Sequence, residues 1–301
     1  MKERIEKNSL ERNGIKMSQE QRKKDITERL VCAREYEREN RTDAANRPAF
    51  HVTAPVGWIN DPNGFSLYQG EYHLFYQYHP YSNHWGPMHW GHCKTRDFVR
   101  WEDLPCAMAP DTDYDGQGCF SGSAVEYEGK HILMYTSVKE QRKEDGTVEV
   151  RQTQSIALGD GFDYRKITEN PVISADTLPA GSSPADFRDP KIWREGDLFY
   201  AVIGSLSEDG SGQIALFSSS DAVKWDFESI LDRNRNRYGK MWECPDFFPL
   251  DSRSVLIVSP QFMRAEGLEF HNGNNSIYFV GTFDKKEKRF LRKEARQIDY
   301  G

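Results

Sequence analysis

The stretch Trp58-Ile-Asn-Asp-Pro-Asn-Gly64 leads directly into Phe65-Ser-Leu-Tyr-Gln-Gly70 and then into Glu71-Tyr-His-Leu-Phe-Tyr-Gln-Tyr78. Short runs rich in Tyr, Phe, Val and Ile between clusters of Gly, Asn, Asp and Pro are typical of β-strands joined by tight turns. A polar residue followed by glycine between two such runs predicts a β-hairpin. The same texture continues from about Phe50 onward, so the sequence predicts an all-β domain.

A coarse repeat runs through this β-rich part of the chain. Each unit has a polar start, a short strand, a turn and an aromatic or aliphatic strand. The units begin at Asp61, Ser121, Asp189 and Asp246, which are 60, 68 and 57 residues apart. A second repeated pattern, with Asp four residues before Trp, occurs in Thr95-Arg-Asp-Phe-Val-Arg-Trp101 and in Ser219-Ser-Asp-Ala-Val-Lys-Trp225. All-β units at this period predict the blades of a β-propeller; the alternative is one irregular β-sandwich.

Composition excludes several classes of protein. The 301 residues carry 40 Lys and Arg against 47 Asp and Glu, a formal net charge of −7, which argues against a general nucleic-acid binder. No apolar run approaches the ~20 residues of a membrane span, and the N-terminus lacks the apolar region of a secretory signal. The five cysteines form no CxxC pair, which favours free thiols. We therefore expect a cytoplasmic protein.

The N-terminal part differs from the rest. Residues 1–46 are charged and almost free of aromatic residues, and we expect them to be partly helical or disordered. Ile26, Leu30 and Ala33 follow helical spacing, which predicts a short amphipathic helix over about residues 25–39. Residues 47–301 form the predicted propeller domain.

Three carboxylates lie at or just before the starts of repeat units: Asp61, Asp189 and Glu243. Corresponding positions of successive blades converge on one pocket, so we expect these side chains to meet there. Mutual repulsion should raise the pKa of at least one of them. Two carboxylates with different pKa values supply the nucleophile and the acid that glycoside hydrolysis needs. The alternative for any single Asp-Pro is a turn cap without chemistry.

Aromatic residues cluster near the same positions. Their rings match the apolar C–H faces of sugars, although each of them is equally suited to the hydrophobic core. The candidates are Trp58, Trp85, Trp90, Phe120 and Trp242.

Residues 58–64 resemble the signature of glycoside hydrolase family 32, the β-fructosidases, which include invertases and sucrose-6-phosphate hydrolases. The resemblance extends over about residues 47–301, because further motifs of the family follow in the same order and at similar spacing. These motifs are Tyr76-Gln-Tyr-His-Pro80, Trp85-Gly86, His89-Trp-Gly-His92, Phe120-Ser-Gly-Ser123, Phe187-Arg-Asp-Pro190 and Trp242-Glu-Cys-Pro-Asp246.

The resemblance implies a role for each matched residue. Asp61 matches the nucleophile that forms a fructosyl-enzyme intermediate, Glu243 the general acid and base, and Asp189 the stabiliser of the transition state. Retention of configuration follows, with the Asp61 and Glu243 carboxyl groups roughly 5–5.5 Å apart. Neither a metal nor a cofactor is implied, and His89 and His92 are expected to pack rather than bind metal. The residues that match the fructose subsite are Asn60, Gln77, Trp85, Phe120, Ser121 and Arg188.

The sequence departs from the family at its C-terminal end. Members have a five-bladed propeller followed by a β-sandwich, whereas this sequence stops before the Asp-Phe-Tyr-Ala motif of the fifth blade. We expect about four blades, no sandwich, and open sheet edges that a closed ring would avoid. The chain is then a fragment of a normal enzyme, a weakly active natural product, or one part of a propeller that a partner chain or oligomer completes.

The sequence therefore predicts a retaining β-fructofuranosidase that acts on sucrose or sucrose 6-phosphate, with a short fructan as another possible sugar substrate. Fructosyl transfer to a sugar is a minor alternative, because a sugar hydroxyl competes with water for the same intermediate. The alternative of a different class is a catalytically weak or inactive carbohydrate-binding remnant. No nucleic-acid or membrane partner is expected.

Overall fold

The computed structural model describes residues 26–299. One α-helix, α1 (Glu28–Asn40), precedes 17 strands that form four antiparallel sheets. Two short 3-10 turns, Ala44–Asn46 and Ala175–Thr177, are the other helical segments within the described residues. Each sheet is one blade of a propeller, so the predicted all-β architecture with about four blades is confirmed.

Strands follow one another in simple up-and-down order within each blade. Blade 1 contains β1 (Trp58–Tyr68), β2 (Glu71–His79), β3 (His89–Thr95) and β4 (Glu102–Met108). Blade 2 contains β5 (Gly118–Tyr127), β6 (Lys130–Arg142), β7 (Val148–Gly159), β8 (Tyr164–Lys166) and the short β9 (Ile173–Ser174), which pairs with β7.

The second half of the chain repeats this order. Blade 3 contains β10 (Phe187–Glu195), β11 (Leu198–Leu206), β12 (Gly212–Ser219) and β13 (Asp226–Arg233). Blade 4 contains β14 (Trp242–Leu250), β15 (Arg253–Pro260), β16 (Ile277–Asp284) and β17 (Arg289–Gln297). The first strand of each blade packs against the first strand of the next, in the order β1, β5, β10, β14. The predicted repeat starts all lie on these inner strands.

Local signals explain the turns. Gln69-Gly70 and Glu128-Gly129 both have positive φ angles, as a two-residue hairpin requires. The repeated Asp before Trp has one structural cause. Asp97 accepts hydrogen bonds from the backbone N–H groups two and three residues ahead, and Asp221 does the same in blade 3.

The helix α1 begins three residues later than predicted, at Glu28, because the Thr27 side chain caps it by accepting from the Leu30 N–H at 3.3 Å. Ile26 therefore precedes the helix. Leu30 and Ala33 are buried as expected, and so is Glu37, which the amphipathic pattern did not predict. Residues 1–25 of the predicted N-terminal segment lie outside the described part of the chain.

Candidate active site

Nine residues predicted for the site line a single cavity of about 420 Å³. Three more residues complete the lining within the described chain: Gln152, Ala185 and Asp186. The carboxylates come from three different blades, because Asp61 lies on β1, Asp189 on β10 and Glu243 on β14. The structure therefore brings together the catalytic and subsite candidates that the sequence indicates.

An irregularity in the pairing of each inner strand places these residues. In β1, Asn60 and Asp61 stand between the pairs Ile59–Tyr78 and Pro62–Tyr76, so two residues oppose one. The other inner strands break register at corresponding places. The interrupted positions are Ser121 in β5, Asp189 and Pro190 in β10, and Cys244 and Pro245 in β14. A bulge redirects a side chain and tolerates a proline that lacks an N–H, which accounts for Pro190 in β10 and Pro245 in β14.

Asp61 is held through both carboxylate oxygens. Ser121 Oγ donates to Oδ2 at 2.8 Å, and the Asn60 side-chain amide donates to Oδ1 at 3.2 Å. Trp58 Nε1 donates to the amide oxygen of Asn60 at 2.6 Å, which turns the NH₂ group of Asn60 toward Asp61. Both of these donors to the Asp61 carboxylate are neutral groups, and neither is a cation.

Asp189 is the most buried of the three carboxylates, with 6 % of the residue exposed. Burial raises its pKa to about 6, and the charges of Glu243 and Asp61 add to the rise, while Arg188 and the Cys244 N–H oppose it. The sequence predicts that repulsion among the carboxylates raises at least one pKa; at Asp189 burial is the larger cause and the neighbouring carboxylates contribute less. Asp189 has φ +65°, a left-handed conformation that costs about 1–3 kcal/mol and that surrounding structure must impose.

Cys244 lies between two of the carboxylates. Its backbone N–H donates to Asp189 Oδ2 at 3.0 Å, and its Sγ is 3.7 Å from the same oxygen and 3.9 Å from Asp61 Oδ2. Burial together with the nearby carboxylates raises the pKa of the thiol well above its ordinary value, so it stays neutral. A neutral thiol separates two carboxylates without adding a charge. All five cysteines are free, as predicted.

Glu243 forms an ion pair with Arg188, whose Nε and Nη2 both donate to Oε1, at 3.2 and 3.1 Å. Arg188 is mostly buried, yet its pKa is raised, because Asp189, Glu243 and Asp186 outweigh the desolvation that opposes the charge. The guanidinium thus fixes one oxygen of Glu243 at the cavity wall.

The aromatic candidates divide into two groups. Trp85 and Phe120 line the cavity, and their rings meet edge to face at 5.8 Å, with Trp85 58 % exposed. Trp90 and Trp242 are fully buried, so the expectation that they cover a sugar is wrong. Both belong to the hydrophobic core, which was the alternative for these residues. Trp58 donates a hydrogen bond to Asn60 and does not line the cavity.

Gln77 of the predicted subsite donates to the Cys119 carbonyl at 3.0 Å and joins blade 1 to blade 2.

Gln152 and Asp186 are the polar lining residues that sequence reasoning missed. The Gln152 side-chain oxygen accepts from the Phe187 N–H at 3.0 Å and from Arg188 Nη1 at 3.3 Å. Asp186 accepts from Arg188 Nη1 at 3.1 Å. Asp186 lies two residues before Arg188, which is a weak local signal; nothing in the sequence around Gln152 indicates its role.

Within residues 26–299 no group of His, Cys, Asp and Glu suits a metal ion, His89 and His92 included.

Four propeller blades that direct three carboxylates into one cavity define a β-propeller domain with an acidic site between its blades. The chain belongs to glycosyl hydrolase family 32, because the sequence model described as "Glycosyl hydrolases family 32 N-terminal domain" matches residues 51–301. No helix in the described part of the chain has the length and apolar character needed to cross a membrane.

Individual relatives agree with this assignment. A sucrose-6-phosphate hydrolase of Zymomonas mobilis is 42 % identical over 265 residues, which is 84 % of this chain and 50 % of the relative. A raffinose invertase of Escherichia coli is 37 % identical over 257 residues, 84 % of this chain and 52 % of the relative. A solved Bombyx mori family 32 β-fructofuranosidase variant in complex with sucrose is 38 % identical, with a TM-score of 0.81 over 90 % of this chain and 57 % of that one. The chain spans about half the length of the curated relatives it matches.

Proposed function

We propose that residues 47–301 form the catalytic domain of a retaining β-fructofuranosidase that hydrolyses sucrose or sucrose 6-phosphate. The observation that carries the proposal is the position of three carboxylates in one cavity, each in a different environment. Asp61 accepts from two neutral donors, Asp189 is buried with its pKa raised to about 6, and Glu243 is paired with a guanidinium.

The first step uses Asp61 as the nucleophile. One carboxylate oxygen of Asp61 attacks the anomeric carbon of the fructosyl unit as the bond from that carbon to the glycosidic oxygen breaks. Glu243 acts in its protonated form, with Oε1 facing Arg188, and gives its proton to the glycosidic oxygen, so glucose or glucose 6-phosphate leaves. The hydrogen bonds from Ser121 and Asn60 keep the carboxylate in one orientation, which lowers the entropy lost on reaching the transition state. Asp189 accepts hydrogen bonds from fructose hydroxyls and stabilises the oxocarbenium-like charge.

The second step reverses the roles. Glu243, now a carboxylate, takes a proton from a water molecule, whose oxygen attacks the anomeric carbon and releases Asp61. Two displacements on opposite faces retain the configuration. Trp85 and Phe120 cover the apolar face of the sugar at the mouth of the cavity.

The volume of the cavity and the names of the relatives support the proposed substrate. A cavity of about 420 Å³ accommodates a disaccharide in part, with the fructosyl unit at the carboxylates. The matched relatives include proteins named sucrose-6-phosphate hydrolase and raffinose invertase, and a structural relative was solved with sucrose. A short fructan as substrate, a cytoplasmic location and the completion of the propeller by a partner chain stay predictions.

Two alternatives remain testable beside hydrolysis. Fructosyl transfer requires a sugar hydroxyl in place of water in the second step. A weakly active or inactive carbohydrate-binding remnant requires that the site binds sugar without turnover. The domain boundary between residues 1–46 and 47–301 likewise belongs to the proposal.

The experiment is glucose release from sucrose, and glucose 6-phosphate release from sucrose 6-phosphate, by the purified 301-residue chain. Asp61→Asn and Glu243→Gln are matched to the wild type in shape, and each should lower kcat by at least ~1,000-fold if covalent catalysis operates. Mass spectrometry of Glu243→Gln with an activated fructoside should show fructose bound to Asp61. A folded chain that binds sucrose but releases no glucose would instead support the remnant, and fructan products would support transfer.

A further inference from the structure

A buried cluster of charges is formed by residues that do not line the cavity. Lys166 on β8 directs its Nζ at three acceptors: Asp111 Oδ1 at 2.5 Å, Asp115 Oδ2 at 2.5 Å and the Ala109 carbonyl at 2.7 Å. The Asp115 side chain is fully buried, and that of Lys166 is 12 % exposed. Desolvation offsets much of the attraction in a buried ion pair, so the pair is weak evidence for a stabilising role.

Asp115 joins this cluster to the start of β5. Its Oδ2 also accepts from the Tyr135 hydroxyl at 2.9 Å and faces Cys119 Sγ at 3.7 Å, and its Oδ1 accepts from the Thr112 N–H at 2.9 Å. The Asp115 carbonyl accepts from the Gly118 N–H at 2.8 Å. The segment Gly118–Ser121 follows, so its first two residues are tied directly to Asp115.

The opposite side of the same segment is held by blade 1. The Cys119 N–H donates to the Met88 carbonyl at 2.9 Å, and the Cys119 carbonyl accepts from Gln77 at 3.0 Å. Trp90 Nε1 donates to the Phe120 carbonyl at 3.1 Å. Gly118–Ser121 therefore lies clamped between two supports, and it carries both Phe120 of the cavity wall and Ser121, the donor to Asp61.

The N-terminal helix extends this support. The Thr27 hydroxyl at the helix cap donates to Asp111 Oδ2, and Arg29 Nη1 donates to the Pro110 carbonyl at 2.6 Å. Both contacts fall on the chain that leads into the cluster. The helix is thus connected to Lys166 through Asp111.

We propose that Lys166 and Asp115 are positioning residues, which place Phe120 and Ser121 at the cavity and thereby orient the nucleophile Asp61. Neither residue touches the substrate. The inference rests on the proposed function, because it assigns these residues to the same site.

The test compares two buried carboxylates, each paired with a cation. Asp115→Asn changes the cluster, whereas Asp232→Asn changes a matched pair with Arg292 at 2.9 Å on β13, whose carboxylate is 9 % exposed and lies outside the cavity lining. Kinetic constants for sucrose are measured on protein whose folding is verified by near-ultraviolet circular dichroism. We expect Asp115→Asn to lower kcat/KM by about 10- to 100-fold, as a small misplacement of a positioned group does, and Asp232→Asn to change it less than twofold.

A double-mutant cycle with Ser121→Ala separates positioning from a loss of stability. If Asp115 acts through the segment that carries Ser121, the two effects on kcat/KM combine to less than their product. Asp232→Asn should multiply with Ser121→Ala. Fully multiplicative effects of Asp115→Asn, or equal losses from the two Asp variants, would overturn the inference. If Asp115→Asn does not fold, the paired variant Asp115→Asn with Lys166→Gln removes both charges and takes its place in the same cycle.

A binding measurement separates this inference from the proposed function. Sucrose binding is followed by tryptophan fluorescence, because Trp85 lies at the cavity. A wild-type chain that binds sucrose without hydrolysing it contradicts the proposed hydrolysis alone. The inference then still requires a dissociation constant at least threefold higher for Asp115→Asn and unchanged for Asp232→Asn; equal values for all three proteins contradict it.

Discussion

Arg188 directs two hydrogen bonds at a single oxygen of Glu243, from Nε at 3.2 Å and from Nη2 at 3.1 Å. Its remaining amino group, Nη1, donates to Asp186 and Gln152 at 3.1 and 3.3 Å. The guanidinium is therefore held on two sides, and it fixes the position of one carboxylate oxygen of Glu243. Arg188 comes from β10 and Glu243 from β14, so the proposed acid and base is oriented by the neighbouring blade.

Arg188→Lys should lower kcat/KM by about 10- to 100-fold, because lysine keeps the charge but loses the fork geometry, and each hydrogen bond to a charged group is worth about 1.5–3 kcal/mol. The measurement is steady-state hydrolysis of sucrose. Arg151→Lys is the matched control, since Arg151 pairs with Glu149 at 3.1 Å on an exposed surface and should change kcat/KM less than twofold. Wild-type activity in Arg188→Lys would show that the charge alone suffices.

Protonation of Asp189 should lower kcat/KM at acidic pH, which gives the pH profile of this constant an acidic limb. Its pKa is about 6, and the proposed role as acceptor of fructose hydroxyls needs the ionised form. We expect kcat/KM of the wild type to rise with pH up to about 6, because this constant reports the ionisation of the free enzyme. Asp189→Asn should lose most activity, and its residual rate should lack this limb. A limb that persists unchanged in Asp189→Asn would assign it to another group.

The same raised pKa has a cost in stability. A carboxyl group with a pKa of about 6 in the folded chain and about 3.9 in the unfolded chain contributes stability below pH 3.9, which is lost as pH rises through 6. The loss amounts to about 3 kcal/mol above pH 6. Urea unfolding at pH 7.5 should therefore show Asp189→Asn to be the more stable protein, although it is the less active one.

The charges around the cavity predict which sugar is preferred. Four carboxylates line it, namely those of Asp61, Asp186, Asp189 and Glu243, and Arg188 is the one cation among the described lining residues. Its donors are already directed at Glu243, Asp186 and Gln152. We expect kcat/KM for sucrose to exceed that for sucrose 6-phosphate, because a phosphate dianion enters a negative field.

Removal of one carboxylate tests this expectation. Asp186→Asn should raise the kcat/KM ratio of sucrose 6-phosphate to sucrose several-fold, and added salt should raise it in the wild type through screening. Asp197→Asn changes a fully exposed carboxylate away from the cavity and should leave the ratio unchanged. A wild-type preference for sucrose 6-phosphate that persists at every salt concentration would contradict the prediction.

Much of the fold and of the site follows from local sequence signals. The Gln69-Gly70 hairpin and the Asp97 and Asp221 turns involve neighbours in sequence, so they are visible without the structure. The catalytic candidates share a motif with a family, so their positions follow as well. Trp242 is buried although Glu243 beside it lines the cavity, because successive side chains in a strand point to opposite faces. Strand alternation therefore predicts this burial, and the expectation that Trp242 covers a sugar did not apply it.

The repeat predicted that the three carboxylates meet in one pocket, but other individual contacts between blades were beyond sequence reasoning. Cys244 lies beside Asp61 although 183 positions separate them, and Gln152 reaches Arg188 across 36 positions. Such neighbours depend on how the blades pack, and no local pattern encodes that distance. The burial of Glu37 was not predicted for another reason. An acidic residue on the buried face of a helix departs from the amphipathic pattern, and its hydrogen-bond partner lies far away in sequence, on the edge strand β4.

Glu37 predicts a pH-dependent attachment of the helix α1. Its Oε2 accepts from the Cys106 N–H of β4 at 3.3 Å, while Arg34 donates to the Cys106 carbonyl at 2.8 Å, so the helix covers the edge of blade 1. Burial raises the Glu37 pKa to about 7, against the Cys106 hydrogen bond and the charges of Arg41 and Arg34. The stability that Glu37 contributes below its unfolded pKa of about 4.3 is lost as pH rises through 7, about 3 to 4 kcal/mol in all.

Glu37→Gln keeps the acceptor and removes the titration. Its free energy of unfolding should match the wild type at pH 4.5 and exceed it at pH 8, as measured by urea unfolding at both values. The exposed Glu35 on the same helix provides the matched control, and Glu35→Gln should retain the wild-type pH dependence. Equal pH dependence in the wild type and Glu37→Gln would show that Glu37 is not the titrating group.

His131 predicts a loss of stability in acid, with the opposite sign. Its ring is fully buried, stacks on Tyr68 at 4.5 Å, and contacts Ser66 Oγ at 2.9 Å and the Tyr164 hydroxyl at 2.8 Å. Burial lowers its pKa to about 3, and the nearby His73 adds to the shift. The stability gained is complete above pH 6.5 and is lost as pH falls toward 3, by about 2 kcal/mol at pH 5.

His131→Gln retains polar groups for both contacts and should lose less stability than the wild type between pH 7.5 and pH 5, whatever its stability at pH 7.5. The change with pH carries the test, since the substitution also alters packing against Tyr68. The exposed His51 supplies the control, and His51→Gln should follow the wild-type profile. Because Glu37 gains stability over part of the same range, the wild-type curve mixes two opposite slopes. Only the difference between His131→Gln and the wild type isolates the buried imidazole, and a difference that does not vary with pH would show that His131 binds protons equally in the folded and unfolded states.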